Sequence, residues 1–379
     1  MTTLMAADPA VPLRDDLLDP GTFAARYAGP DARPLGLARA RYRFGESLRV
    51  VHRVAISNRI THVTARSTGE RVDVTRLPAD RKIEALPALL TGDLAALVGE
   101  QIDERRLAAY APERSAAVAC LAHGVVVAYV KAFAGDEAEQ TERTHRYLSQ
   151  AAPGLGTPRL LGRRGHLVAV EAIAGRPLRE LEGASYWLGL RRLGAVLAEL
   201  HATLPPPGAP RFRRHDVHSL RAAVETVTQA RPELAGPANR VADALAAAPP
   251  SSADACLHGD VHGGNALVTA GGIALIDLDD VSRGPTAADL GSFFATLRYR
   301  QLTGAESGSR TERAIASVLE GYGSTVPPAA AIAWHEAAAL LVERAQRAIT
   351  RVRPDGLAAL PAILAAAHER AMEATCRGC

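Results

Sequence analysis

Apolar and polar positions change their period several times along the chain. From Ala38 to Arg66 they alternate in a stretch rich in Val, Ile, Tyr and Thr, broken at Phe44-Gly45-Glu46 and Ser57-Asn58, which predicts three antiparallel strands. Between Ile83 and Val98 the spacing of Leu86, Leu89, Leu90, Leu94 and Leu97 turns helical. Strand character returns over Leu107–Tyr110 and Ala117–Ala122, and after a His123-Gly124 turn over the strongly apolar Val125–Phe133. The runs from Tyr42 to Ser47 and from Tyr110 to Ser115 echo one another as strand-turn-strand solutions.

Past Phe133 the balance shifts. Asp136–Gln150 is charged and helix-forming, Leu167–Ile173 reads as a short strand, and Gly175-Arg176-Pro177 marks a connection. Leu188, Leu193, Val196, Leu197, Leu200 and Leu204 then line one face of a helix that ends at Pro205-Pro206-Pro207-Gly208. Only strands near Ala266–Val268 and Ile273–Ile276 interrupt the helical remainder, which resumes at Ala288. The pattern divides the chain into an extension over 1–100 with antiparallel strands, a β-rich lobe over 101–177 and an α-rich lobe over 178–379.

Composition sharpens this picture in a few places. The 379 residues, 47% hydrophobic and 22% charged, suit a folded protein with a sizeable core. A net charge of +3 gives no nucleic-acid signature. There is neither an 18-residue apolar run nor a basic, apolar and small-residue leader, so a cytoplasmic protein without a membrane partner is expected. Cys120, Cys256, Cys376 and Cys379 are too few for a disulfide framework, and the Cys376/Cys379 pair reads as a frayed tail. Of 44 basic Lys and Arg residues only Lys82 and Lys131 are lysines, and Asn58, Asn239 and Asn265 are the only asparagines. Residues a chain avoids this strongly draw attention where they do occur.

The chemistry concentrates in His258-Gly259-Asp260-Val261-His262-Gly263-Gly264-Asn265, followed twelve residues after Asn265 by Asp277 at the end of an apolar strand. Phosphoryl transfer from a nucleotide requires a carboxylate to orient the acceptor hydroxyl and oxygen ligands for Mg²⁺. An Asp and an Asn with four residues between them, glycines among these, match a kinase catalytic loop: Asp260 takes the hydroxyl proton, while Asn265 and Asp277 hold the metal. His258 is expected to support this loop by hydrogen bonding.

On these residues the chain resembles the aminoglycoside phosphotransferase and choline kinase family, which implies an α+β, bilobal protein-kinase-like fold with ATP or GTP and Mg²⁺ as cofactors. Its N-terminal extension also resembles, loosely, that of actinobacterial maltokinase-like enzymes. By resemblance, Lys131 contacts the nucleotide phosphates and pairs with a glutamate of the next helix, Glu142 before Glu139. The backbone near Glu171 and Ile173 is the adenine-binding hinge. The resemblance also covers Asp289, read as a helix cap or loop anchor, and His201, read as structural. No glycine-rich phosphate loop is present. The equivalent turn, Pro112–Ala116, offers only Ser115.

The implied partner is a small hydroxylated acceptor: a sugar, amino sugar or antibiotic-type natural product. A cationic aminoglycoside needs acidic walls, and Asp279, Asp280, Glu336 and Glu343 are available, with Trp334 and His335 as a sugar-stacking surface. Gln301–Cys379 nevertheless holds eight acidic residues against eight arginines, so no acidic surplus exists. Two competing readings are a non-catalytic nucleotide-binding protein and a protein kinase; the latter lacks the Arg of H-R-D and an activation segment.

Overall fold

The computed structural model of the chain describes residues 4–247, 249 and 254–375. After two short helices, α1 (Arg14–Leu18) and α2 (Pro20–Phe23), a meander of four antiparallel strands forms the first sheet: β1 (Arg33–Arg43), β2 (Ser47–Ile56), β3 (Arg59–Thr68) and β4 (Arg71–Arg76). Three strands were expected here. The fourth, Arg-Val-Asp-Val-Thr-Arg, is a charged edge strand whose polar side chains hide it from a hydrophobicity pattern. The helix expected over Ile83–Val98 is two, α3 (Leu86–Thr91) and α4 (Ala95–Val98). Gly92 ends the first, where a Cβ would lie only 2.7 Å from the Ala88 carbonyl oxygen, and Asp93 starts the second by accepting from the Ala95 amide at 2.9 Å.

The second sheet contains β5 (Glu104–Ala111), β6 (Ser115–Ala122), β7 (Val125–Phe133), β8 (Leu160–Arg164) and β9 (Leu167–Glu171) in the order β5-β6-β7-β9-β8. Between β7 and β8 lies α5 (Glu137–Ala151). The chain crosses to the helical lobe through β10 (Arg176–Pro177), followed by α6 (Gly183–Ala202), α7 (Val217–Ala230) and α8 (Ala235–Ala247). Four short strands, β11 (Ala255–Leu257), β12 (Ala266–Thr269), β13 (Gly272–Leu275) and β14 (Ser282–Gly284), carry the loops of the site. Helices α9 (Thr286–Leu302), α10 (Gly308–Tyr322), α11 (Ala329–Ala339), α12 (Gln346–Thr350) and α13 (Pro354–Thr375) complete the lobe. The fold is thus α+β and bilobal, as expected. Cys376 and Cys379 lie outside the described residues.

Three large cores and one small cluster, Phe133, Ala138 and Val168, hold it together. In α6 the buried stripe is Leu190, Leu193, Leu197 and Leu200, at helical spacing; Leu188 points to solvent, and Leu204 lies beyond the helix end. Around the five-stranded sheet, Val118, Val130 and Ala169 pack with Leu86, Leu89 and Leu94 of α3 and its neighbourhood. The four-stranded sheet instead buries Tyr42, Leu48, Val50 and Val54 against Leu220, Trp334, Leu341 and Ile349 of the helical lobe. The segment 1–100 is therefore not one unit. Its strands, with α1 and α2, join the core of the distant C-terminal helices, and α3 and α4 join the N-terminal lobe, because neither part has enough apolar surface to close on itself.

Candidate active site

The loop between β11 and β12 holds Asp260, and its shape follows from Gly259 and Asp289. Gly259 has φ +79°, and a Cβ there would collide with the Asp280 carbonyl, so no other residue fits without strain. Asp289, buried in the first turn of α9, accepts from the amides of His258 (2.7 Å) and Gly259 (3.0 Å). Burial pushes its pKa up, but the hydrogen bond and charge of His201 outweigh this and hold the carboxyl below the usual range. His201 lies 3.2 Å from Asp289 through Nε2 and 2.8 Å from the Tyr322 hydroxyl through Nδ1. Asp289 is thus the loop anchor, and His201 its support.

His258 is buried and contacts the Ile276 carbonyl at 3.0 Å, tying the loop to the strand that ends at Asp277. His262 Nδ1 accepts from the amides of Gly264 (3.0 Å) and Asn265 (3.2 Å), and burial lowers its basicity, which suits a neutral acceptor nitrogen. Asn265 donates from Nδ2 to the Asp260 carbonyl at 3.1 Å. Its Oδ1 accepts no hydrogen bond among the described residues. The Ile276 amide donates to the Asn265 carbonyl at 2.9 Å, so Asn265 and Asp277 meet at adjacent strand ends.

Lys131 reaches across from near the C-terminal end of β7, where it pairs with Ala117 and Val168, to Asp277 Oδ1 at 3.2 Å and to Asp279. Burial lowers the basicity of this ammonium, but Asp279 and Asp277 together lift it above its ordinary value. Burial likewise pushes Asp277 up, and Lys131 overrides it to leave the carboxyl depressed. At Asp279 burial and the like charge of Asp277 prevail, so that carboxyl is raised despite Lys131.

Several expectations are corrected. Glu142 does not meet Lys131: it pairs with Arg146 at 2.8 Å and with Arg163, while Glu139 pairs with Arg143. One residue earlier on α5, Thr141 faces the site and lies 3.4 Å from Asp279 Oδ1. Asp279 is therefore a partner of Lys131 and not part of an acceptor wall. Trp334 is buried, with its indole N–H donating to the Leu245 carbonyl at 2.9 Å; it is core and not a stacking surface, and His335 is buried beside it. Glu343 is buried among His215 (3.1 Å), Arg347 (3.6 Å) and Arg344 (3.7 Å), and Glu336 between Arg298 (2.5 Å) and Arg370 (2.9 Å), so neither is open to an acceptor.

Ser115 opens β6 opposite Phe133, above Lys131. At the hinge, the Glu171 amide donates to Arg159 and that of Ala172 to Val127, so of these three residues only Ile173 keeps an amide without a backbone partner among the described residues. Glu171 itself accepts from the Arg159 amide at 2.8 Å. Arg214, which no motif indicated, donates to Asp280 at 2.6 Å and to the Gly259 carbonyl and lies 3.7 Å from Asp260. Its only sequence cue is a charged run, Arg213-Arg214-His215-Asp216, before α7. The Pro112–Ala116 turn is held from outside the lobe: Asp80 accepts from the Glu113 amide at 3.0 Å and from the Tyr110 hydroxyl at 2.8 Å, and Arg49 binds Glu113 at 2.5 Å.

A cleft with a loop Asp, an Asn and Asp at paired strand ends, and a strand Lys opposite them is a kinase-type arrangement. The profile of the Phosphotransferase enzyme family matches residues 124–340, from the start of β7 into the π-helical turn after α11. The chain belongs to this family. It is a phosphotransferase, and the match takes in every residue from Lys131 to Asp289 discussed above. No curated protein matches the chain in sequence. Among solved structures, it is similar to a spectinomycin phosphotransferase, APH(9)-Ia, in complex with ADP and spectinomycin: 16% identity, 73% of this chain and 96% of that one, TM-score 0.52. It is similar to a thermostable mutant of aminoglycoside phosphotransferase APH(4)-Ia: 13% identity, 75% and 98% covered, TM-score 0.53. It is also similar to the amicoumacin kinase hAmiN in complex with AMP-PNP and Ca²⁺: 16% identity, 71% and 89% covered, TM-score 0.52. These likenesses establish the fold. Among the described residues no helix is long and apolar enough to cross a membrane.

Proposed function

We propose that this phosphotransferase is an ATP- or GTP-dependent small-molecule kinase that phosphorylates a hydroxyl of a sugar, amino sugar or hydroxylated natural product. The observation that carries the reading is the convergence of Asp260, Asn265, Asp277 and Lys131 on one cleft. Asp260 takes the proton of the acceptor hydroxyl as the acceptor oxygen bonds to the γ-phosphorus and the bond from that phosphorus to the bridging oxygen breaks, releasing the nucleoside diphosphate. Arg214, 3.7 Å from Asp260, holds its carboxylate in place. Lys131 is free to exchange its pairing with Asp277 and Asp279 for the α- and β-phosphates.

The donor set fits Mg²⁺. Asp277 supplies a half-exposed carboxylate and Asn265 an amide oxygen, both hard ligands, and the phosphates and water complete such sites in nucleotide enzymes. A bound Mg²⁺ neutralises charge on the transferring phosphates. Among the described residues no cluster of three His, Cys, Asp or Glu side chains forms a preassembled metal cage, which agrees with a metal carried in on nucleotide.

The test is acceptor-stimulated ADP release measured across sugars, amino sugars and antibiotics. Asp260→Ala is expected to lower the rate by about 10²–10⁴ while nucleotide affinity is kept. Asp277→Ala is expected to abolish Mg²⁺-dependent nucleotide binding. Nucleotide binding without any transfer in the unaltered protein would instead favour a non-catalytic binding protein.

A further inference from the structure

The turn between β5 and β6 stands above the site, and its backbone donors are spent. Pro112 has no N–H. The Glu113 amide donates to the Asp80 carboxylate at 3.0 Å, and the Arg114 amide donates to the Ala111 carbonyl at 3.0 Å. The Arg114 carbonyl accepts from Ala134, three residues past Lys131, at 2.8 Å, so the turn is tied to the strand that carries the lysine. Glu113 adopts the left-handed region at φ +60° and meets Arg49 of the first sheet at 2.5 Å, both side chains being largely buried. The turn's one negative charge is thereby neutralised, and its backbone has no amide to offer a phosphate before Ser115.

The Arg114 side chain reaches down from this fixed turn. Its Nη2 lies 4.0 Å from Asp280 Oδ1, the one carboxylate within that distance among the described residues, and the side chain is 61% exposed. Asp280 Oδ2 accepts from Arg214 at 2.6 Å, and Arg214 in turn lies 3.7 Å from Asp260. The cleft floor therefore has two ends. At one, Lys131 is held by Asp277 and Asp279; at the other, Arg114 stands over Asp280, next to the group that faces the acceptor. In-line transfer sets the γ-phosphorus beside the acceptor oxygen, with the α- and β-phosphates further back. Arg114 is at the γ end and Lys131 at the other.

We propose that Arg114 binds the γ-phosphate of the nucleotide, its guanidinium standing in for the amides that a glycine-rich loop would offer. The inference rests on the reading of Asp260, Asp277 and Lys131 as a nucleotide-dependent kinase site. Guanidinium groups grip phosphate oxygens through paired N–H donors. A pair as exposed and as long as Arg114–Asp280 contributes little, so Arg114 leaves it at small cost when a more highly charged anion arrives. Asp280 then stays balanced by Arg214. The rigid turn fixes where the guanidinium starts from, and its freedom as a side chain lets it follow the phosphate.

Calorimetric titration of the full chain with Mg²⁺ tests it, comparing AMP-PNP with ADP and GMP-PNP with GDP. In one of these pairs the triphosphate analogue is expected to bind at least tenfold more tightly than the diphosphate. Arg114→Ala is expected to close that gap to about threefold with diphosphate affinity unchanged, and Arg114→Lys to restore part of it. Asp280→Asn, which removes the carboxylate and keeps Arg114, is expected to leave the gap in place. The proposal is overturned if the unaltered protein shows no gap, if Arg114→Ala retains it, or if Arg114→Ala weakens diphosphate and triphosphate alike. It is also overturned if Asp280→Asn loses the gap as Arg114→Ala does, since the ion pair would then merely brace the turn. Binding of neither nucleotide to the unaltered protein brings down this proposal and the kinase reading together. Acceptor turnover with a gap that Arg114→Ala leaves intact brings down the role of Arg114 alone.

Discussion

Asp277 adopts φ +61°, the left-handed region that a residue with a Cβ enters only at a cost of about 1–3 kcal/mol. The Lys131 ammonium and the Ile276–Asn265 backbone bond hold it there, so its carboxylate faces the cleft at the end of β13. Its place after an apolar strand was legible in the sequence; its backbone conformation was not, since no local pattern requires it. The opposite holds for Glu343, which read as an open carboxylate and is instead an ion-paired core group. Burial pushes it up, yet His215, Arg344 and Arg347 outweigh this and leave it well below the ordinary range. A depressed folded value contributes stability above the unfolded value of about 4.3, lost as pH falls through the folded value. Urea unfolding from pH 6 down to pH 3 should therefore show a decline in stability that Glu343→Gln flattens. At pH 7 that variant should lose about 3–5 kcal/mol, since His215 and two arginines remain buried without their partner.

Among the elements, the loop from His258 to Asn265 was the most readable and α5 the least complete. Short-range spacing announces the loop, because Asp, Asn and glycine must lie within one turn of chain to do its work. Its tightness, however, is set by a distant group, the Asp280 carbonyl packed against Gly259. Gly259→Ala should cost about 1–2 kcal/mol for the left-handed backbone alone, with more from the collision. The variant should show a lowered Tm and at least a tenfold loss in turnover, with nucleotide binding retained. In α5 the helix itself was plain from its residues, but its facing was not. A rotation of one residue, about 100°, turns Thr141 to Asp279 and Glu142 to Arg163, and only packing against β8 and β9 decides such a rotation.

Across the whole molecule, the first sheet shares a core with helices near the other end of the chain. Tyr42, Leu48, Val50 and Val54 cover Leu220, Trp334, Leu341 and Ile349. Each large apolar side chain buried contributes about 1.5–3 kcal/mol, and net stability of a domain is only about 5–15 kcal/mol. Deleting residues 1–76 should therefore leave a chain that is recovered mainly in the insoluble fraction and binds a hydrophobic dye when refolded. A soluble truncated protein with a sharp unfolding transition would show that the helical lobe closes without the sheet.

By itself the sequence determined the α+β character, the order of strands and helices around the site, and the loop whose Asp, Asn and glycines sit within a few residues of one another. All of these rest on short-range periodicity and spacing. Tertiary structure alone decided that Lys131 pairs with Asp277 and Asp279, that Trp334 and Glu343 are core, and that Asp80 and Arg49 hold the turn above the site. Each of these joins residues far apart in the chain, and an alternation of apolar and polar positions says which face is buried without saying against what.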